Sequence, residues 1–108
     1  MIELLYYHDA SGRRPFIEWH SQLHDKLAKS LVTKRLAHLE LGNFGDSSPV
    51  GEGVIELRVH VGAGYRVYCA RHGKTIVLLL TGGDKRSQAV DIRLAQKFWA
   101  EWKKGQNP

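Results

Sequence analysis

Glu56, Arg58 and His60 occupy alternate positions of the run VIELRVHV, and the residues between them, Leu57 and Val59, are apolar, as is Ile55 before them. Successive side chains of a strand point to opposite faces, so the three polar residues share one face. The next run, YRVYCAR, follows a short GAG segment and carries Arg66 and Tyr68 at the same two-residue spacing. If GAG is a three-residue turn closed by Val61 and Tyr65, antiparallel pairing sets His60 opposite Arg66 and Arg58 opposite Tyr68. The face expected is Glu56, Arg58, His60, Arg66 and Tyr68. Two neighbouring guanidiniums suit a phosphate, because each offers a planar fork of donors. The plainer alternative is a solvated sheet face on which Glu56 pairs with an arginine, and a slip of one residue would scatter the set.

A second candidate lies downstream, where TGGDKRSQ leaves an apolar run through two glycines and presents Asp84, Lys85 and Arg86 just before a helix. Helix starts favour anions. The loop lacks the spacing and the Gly-Lys-Ser/Thr ending of a phosphate loop, so it reads equally well as a strand-to-helix turn with solvated charges. Asp91 follows in the first turn of that helix.

These residues need a scaffold, and the pattern supplies one. Ile2 to Tyr7 reads as a strand, ended by Asp9, Ser11 and Gly12. Pro15 opens a helix carrying Phe16, Ile17, Trp19 and Leu23, and after a break Asp25 caps a second helix with Ala28, Val32, Leu36 and Leu39 on one stripe, stopped by Gly42. The segment NFGDSSPVGEG, 43–53, reads as loop. Strands follow at Val54–Val61, Tyr65–Arg71 and Thr75–Thr81, with turns at GAG and HGK; the third, with IVLLL, is apolar on both faces and belongs inside the sheet. A last helix starts around Ser87, with the hydroxyl as cap and Ile92, Ala95, Trp99 and Trp102 as a core stripe, and the tail KKGQNP is expected to fray. The fold class expected is α+β: a small, mostly antiparallel twisted sheet of about four strands, two N-terminal helices and one C-terminal helix.

Composition narrows the class. The chain has 108 residues, room for one domain over 1–108, and a net charge of +5, which favours an anionic partner. The single cysteine, Cys69, excludes an internal disulfide framework and a thiolate zinc cage, and is expected to fill space in a strand. His20 and His24 lie four apart on the first helix without a third ligand, so no metal is expected. His72 reads as a turn residue. The opening MIELLYYHD lacks a secretory pattern and IVLLL is too short for a bilayer, so the expectation is a cytoplasmic protein away from membranes.

Taken in order, strand, two helices, the ELR strand, the GYRVY strand, the VLLL strand, the GGDK turn and the terminal helix resemble the RelE/ParE toxin superfamily, most closely its HigB-like, phage-related addiction-module-killer branch. The resemblance covers nearly the whole chain, with ELR, GYRVY and LLLTGGDK as its most specific stretches. It implies a toxin of a type II toxin–antitoxin pair, an endoribonuclease that cuts messenger RNA on the ribosome without metal or cofactor, and a HigA-like antitoxin partner. It places Arg58 and Arg66 on the scissile phosphate, with Lys85 or Arg86 as the further basic residue. Metal-free RNA cleavage also needs proton transfer to and from oxygen. His60 is the first candidate, because imidazole titrates near neutrality. Asp91 is the second, because other HigB-like toxins pair histidine with aspartate, and Glu56 and Tyr68 share the face. The chain departs from some RelE-like enzymes in lacking a tyrosine in the stretch AVDIR. Two other readings stay open: a ParE-like inhibitor of DNA gyrase on the same fold, and a nucleic-acid-binding relative without activity.

Overall fold

A computed structural model describes residues 1–106. The elements run β1 (Glu3–Tyr6), α1 (Pro15–Ser21), α2 (Lys26–Glu40), β2 (Ser47–Pro49), β3 (Val54–Val59), β4 (Tyr65–His72), β5 (Ile76–Gly83), a 3-10 turn (Lys85–Ser87) and α3 (Gln88–Gln106). The strands form one sheet in the order β1-β5-β4-β3-β2, in which β1 runs parallel to β5 and the other neighbours are antiparallel. The fold class is α+β. The sheet has five strands where about four were expected, because part of the glycine- and serine-rich loop pairs with β3 as the short β2. No described helix is long and apolar enough to cross a membrane.

Both faces of the sheet are covered. On one, Phe16 of α1 and Val32 and Leu39 of α2 pack on Leu57, Val59, Val67, Cys69, Val77 and Leu79. On the other, Ala95 and Trp99 of α3 pack on Val54, Tyr68, Ala70, Leu78 and Leu80. β5 contributes to both, which is why its sequence is apolar throughout. Cys69 is a buried filler of the first core, and Trp99 belongs to the second.

The helix ends follow local chemistry. Asp25 caps α2 by accepting from the Ala28 amide at 3.0 Å, a contact worth roughly 0.5–2 kcal/mol. Gly42, at φ +87°, closes α2 with the paired bonds Gly42 N to Leu39 O and Asn43 N to His38 O. Before α3 the cap is Asp84 rather than Ser87: Asp84 accepts from the Arg86 amide, and Ser87 Oγ in return accepts from the Asp84 amide. α1 ends at Ser21, so His24 falls in the break and the expected four-residue helical spacing from His20 does not exist. His20 stacks on Phe16 and contacts Thr33 instead. Of the tail, 103–106 are helical, and Asn107 and Pro108 lie outside the described residues.

A bulge near the end of β5 positions its two glycines. Tyr68 pairs with Thr81 but Cys69 pairs with Leu79, which leaves Leu80 without a partner and reverses the alternation beyond it. Gly82 then faces α1, where a Cβ would lie 2.2 Å from the Trp19 ring, and Gly83 faces α3, where a Cβ would lie 1.8 Å from Asp91 Oδ2. Gly82→Ala should therefore force Trp19 out of place and lower stability by about 1–3 kcal/mol, read as a lower urea midpoint.

Candidate functional site

The β3–β4 hairpin differs in register from the sequence expectation. The connection is five residues, His60 to Gly64, so Arg58 pairs with Arg66 and Glu56 with Tyr68. His60 leaves the strand and does not face Arg66. The shift is by two residues, an even number, so the side chains of Glu56, Arg58, Arg66 and Tyr68 still share one face.

That face is not open. α3 starts above it, and Glu56 is 2% exposed and Tyr68 0%. The Glu56 carboxylate accepts from Gln88 Nε2 at 2.8 Å, from Tyr68 Oη at 3.3 Å and from Arg58 Nη1 at 3.4 Å, with Arg66 Nε at 3.7 Å. A buried carboxylate needs such partners. Two arginines directly opposite each other repel, and Glu56 is the counter-charge that lets them sit side by side. The expectation that Glu56 and Tyr68 bind substrate is thereby corrected: both support the arginines from beneath. Burial and the charges of Glu56 and Asp91 push the Tyr68 phenol well above its ordinary range, so it acts as a proton-bearing donor and not as a base.

The arginines emerge into a cleft of about 470 Å³ whose walls include Arg58, His60, Arg66, Lys85 and the turn residues 61–64. The turn is held to the loop after β5 by a backbone bond from Lys85 N to Ala63 O, which brings the lysine over the hairpin. Gly64 makes this possible: it sits at φ +75°, and a Cβ there would meet Arg66 Nη1 at 3.3 Å and Lys85 Cβ at 3.5 Å. Arg66 Nη1 donates to Gly64 O at 2.6 Å, and Arg66 Nε is buried without a hydrogen bond. That nitrogen faces the Glu56 carboxylate at 3.7 Å, a charge contact longer than a hydrogen bond.

Three residues around the site escaped the sequence reading: Asp46, Ser48 and Arg35. Asp46, in the loop before β2, accepts from Arg58 Nη2 at 2.7 Å and Nε at 3.2 Å, and its other oxygen pairs with His60 Nε2. Ser48 takes Arg58 Nη1 at 2.5 Å. Arg35 of α2 fixes this loop by donating to the carbonyls of Phe44, Asp46 and Arg58. Nothing in periodicity marks Asp46 or Arg35; the only signal was an aspartate in a short loop otherwise built of turn residues. The hydrogen bonds from Arg58 and then His60 hold the Asp46 carboxyl down at about 2, against an ordinary 3.8. Because the folded value lies below the unfolded one, the pairing favours the fold above about pH 4 and is lost as pH falls through about 2. Arg58→Ala should return the Asp46 titration toward its ordinary value, checked by carboxyl-carbon NMR.

The remaining candidates separate. Arg86 points to solvent and pairs with Asp84 at 3.3 Å, away from the cleft walls. Asp91 lies behind Arg66, over Gly83, and accepts from Ser87 Oγ at 2.5 Å. Burial raises its carboxyl above the usual range, with the Ser87 bond opposing. Of the expected catalytic set, Arg58, His60 and Arg66 line the cleft, joined by Lys85, and Asp91 does not. Among the described residues no group of three or more histidine, cysteine, aspartate or glutamate side chains could hold a metal ion.

No family model matches the chain. It is 43% identical over 81 residues to an uncharacterized protein of Haemophilus influenzae, an alignment covering 75% of this chain and 82% of the relative.

Proposed function

The chain belongs to the family of that Haemophilus influenzae protein, and since this membership carries no activity with it, we propose from the site that the protein is a HigB-like toxin of the RelE/ParE superfamily. In this reading it is an endoribonuclease that cuts messenger RNA on the ribosome and is held by a HigA-like antitoxin. The observation that carries the reading is the arginine pair in the cleft, with His60 and Lys85 on the same walls.

The cleft residues divide the work of metal-free cleavage. The scissile phosphate sits between Arg58, Arg66 and Lys85, whose charges stabilise the additional negative charge of the five-coordinate transition state. His60 pairs with Asp46 through Nε2. With the proton on Nε2, the lone pair lies on Nδ1, which takes the proton of the 2′-hydroxyl as that oxygen attacks phosphorus. The bond from phosphorus to the 5′-oxygen breaks, and in this scheme Lys85 protonates the leaving oxygen. The products are a 2′,3′-cyclic phosphate and a 5′-hydroxyl. Asp91, behind Arg66, tunes the arginine and Tyr68 in this scheme and does not touch substrate.

Fragments from a translating extract treated with the purified protein should accept a labelled phosphate at their 5′ ends from a polynucleotide kinase without prior phosphatase treatment. Fragments that need the phosphatase first would exclude attack by the 2′-hydroxyl. An uncut message with translation unimpaired would move the proposal to the gyrase reading, for which supercoiling is the assay.

A further inference from the structure

The shortest hydrogen bond to the buried Glu56 carboxylate comes from a neutral group. Gln88 Nε2 donates to Oε2 at 2.8 Å and Tyr68 Oη to the same oxygen at 3.3 Å, while Arg58 Nη1 stands 3.4 Å from Oε1 and Arg66 Nε 3.7 Å from Oε2. A buried carboxylate between two guanidiniums ordinarily closes on one of them at about 2.7–2.9 Å, often through two parallel bonds. Here it does not, and the amide that diverts it comes from another element, 32 residues along the chain.

Gln88 reaches Glu56 because of how α3 begins. The cap formed by Asp84 and Ser87 fixes the helix start, and Gln88, half-buried, is the first residue of α3. Facing a carboxylate, only the amino end of its amide can serve, since the carbonyl end has no proton to give. The diversion bears on Arg66. Its Nη1 is engaged by Gly64 O, so the edge formed by Nε and Nη2 is the fork left to grip two oxygens of a phosphate. Glu56 needs to advance by only about 1 Å to bring Oε2 into hydrogen-bond range of Nε and take that fork.

We infer that Gln88 is a positioning residue of the phosphate site: its neutral amide holds Glu56 back from Arg66, so that the carboxylate offsets the charge of the arginine pair without occupying the donors that the phosphate needs. Gln88 does not line the cleft, so it acts through Glu56 and not on the substrate. The inference deepens the nuclease reading and rests on it for the identity of the phosphate as part of an RNA strand. Inorganic phosphate makes the same demand on the fork of Arg66 and serves as the probe.

The test compares the full chain with Gln88→Met, which keeps the length of the side chain and removes the donor. Phosphate affinity, followed by NMR at the Gly64 and Arg66 amides, should fall roughly tenfold, the scale of one hydrogen bond to a charged group. In the phosphate-free variant the Arg66 Nε proton should move downfield as Glu56 closes on it, a signature that loss of a helix-start contact alone does not produce. In a Glu56→Gln background, where the competing charge is gone, adding Gln88→Met should change phosphate affinity by less than about twofold. Where Glu56→Gln does not fold, the affinity and the proton shift of the single variant decide. An unmoved Arg66 Nε proton, wild-type phosphate affinity in Gln88→Met, an equal loss in both backgrounds, or a wild type that takes no phosphate at these amides overturns the role. A lowered urea midpoint with unchanged affinity reduces Gln88 to a structural contact and overturns it too. The two readings fail separately: a protein that cuts messages equally well with Gln88→Met loses the positioning role alone, and one that shows the phosphate and proton signatures but leaves messages intact loses the nuclease reading.

Discussion

Arg66→Ala is expected to lower RNA cleavage by about 10²–10³-fold, the usual effect of removing one preorganised donor from a developing oxyanion. The residue pairs with Arg58 across the hairpin and lines the cleft, with its side chain 13% exposed. Its loss also removes one of the charges beside the buried Glu56, so some stability goes with the activity. Three partners remain to Glu56, namely Arg58, Tyr68 and Gln88, and the variant should keep its fold. Circular dichroism and a urea curve measured alongside cleavage separate the two effects. Arg66→Lys sharpens the test: it keeps a positive charge near Glu56 but loses the planar fork, and it should recover stability more fully than activity. A variant that remains folded and cuts at the wild-type rate would remove Arg66 from the chemistry.

Trp99→Ala should act through the fold alone. Trp99 is 6% exposed, stacks on Trp102 with ring centroids 5.5 Å apart, and lies against Gly53, where a Cβ would come within 2.8 Å of the indole nitrogen. Truncating a buried tryptophan typically costs about 3–5 kcal/mol. Small domains have a total stability of only about 5–15 kcal/mol, so the variant should show a much reduced urea midpoint. Cleavage by the fraction still folded should be close to wild type, because no residue of α3 lines the cleft. A variant as stable as the wild type would contradict the burial described for α3.

Elements with strong periodicity were legible in the sequence, and so was the face that carries the arginines. The run VIELRV fixes parity by itself, so Arg58 and Arg66 were placed on one face although the turn was read as three residues instead of five. The length of the connection was not legible, because glycines at 62 and 64 permit more than one turn and both adopt positive φ. His60 was misplaced for that reason alone. Burial of Glu56 and Tyr68 was hidden as well, since a polar strand face looks the same whether water or a helix start covers it. Asp46 lay beyond reach because its role comes from a contact with Arg58 made across twelve residues of chain and set by Arg35. The bulge at Leu80, which turns the two glycines of GGDK to opposite faces, leaves no mark in an all-apolar run.

The most direct test of the central claim is primer extension on a defined message in a translation extract, with purified wild-type protein, with Arg66→Ala, and with the same message free of ribosomes. Cuts within codons at the ribosomal A site, absent with Arg66→Ala and absent without ribosomes, are the result expected of an arginine-lined ribosome-dependent nuclease. An intact message, or identical cuts from Arg66→Ala, would contradict it.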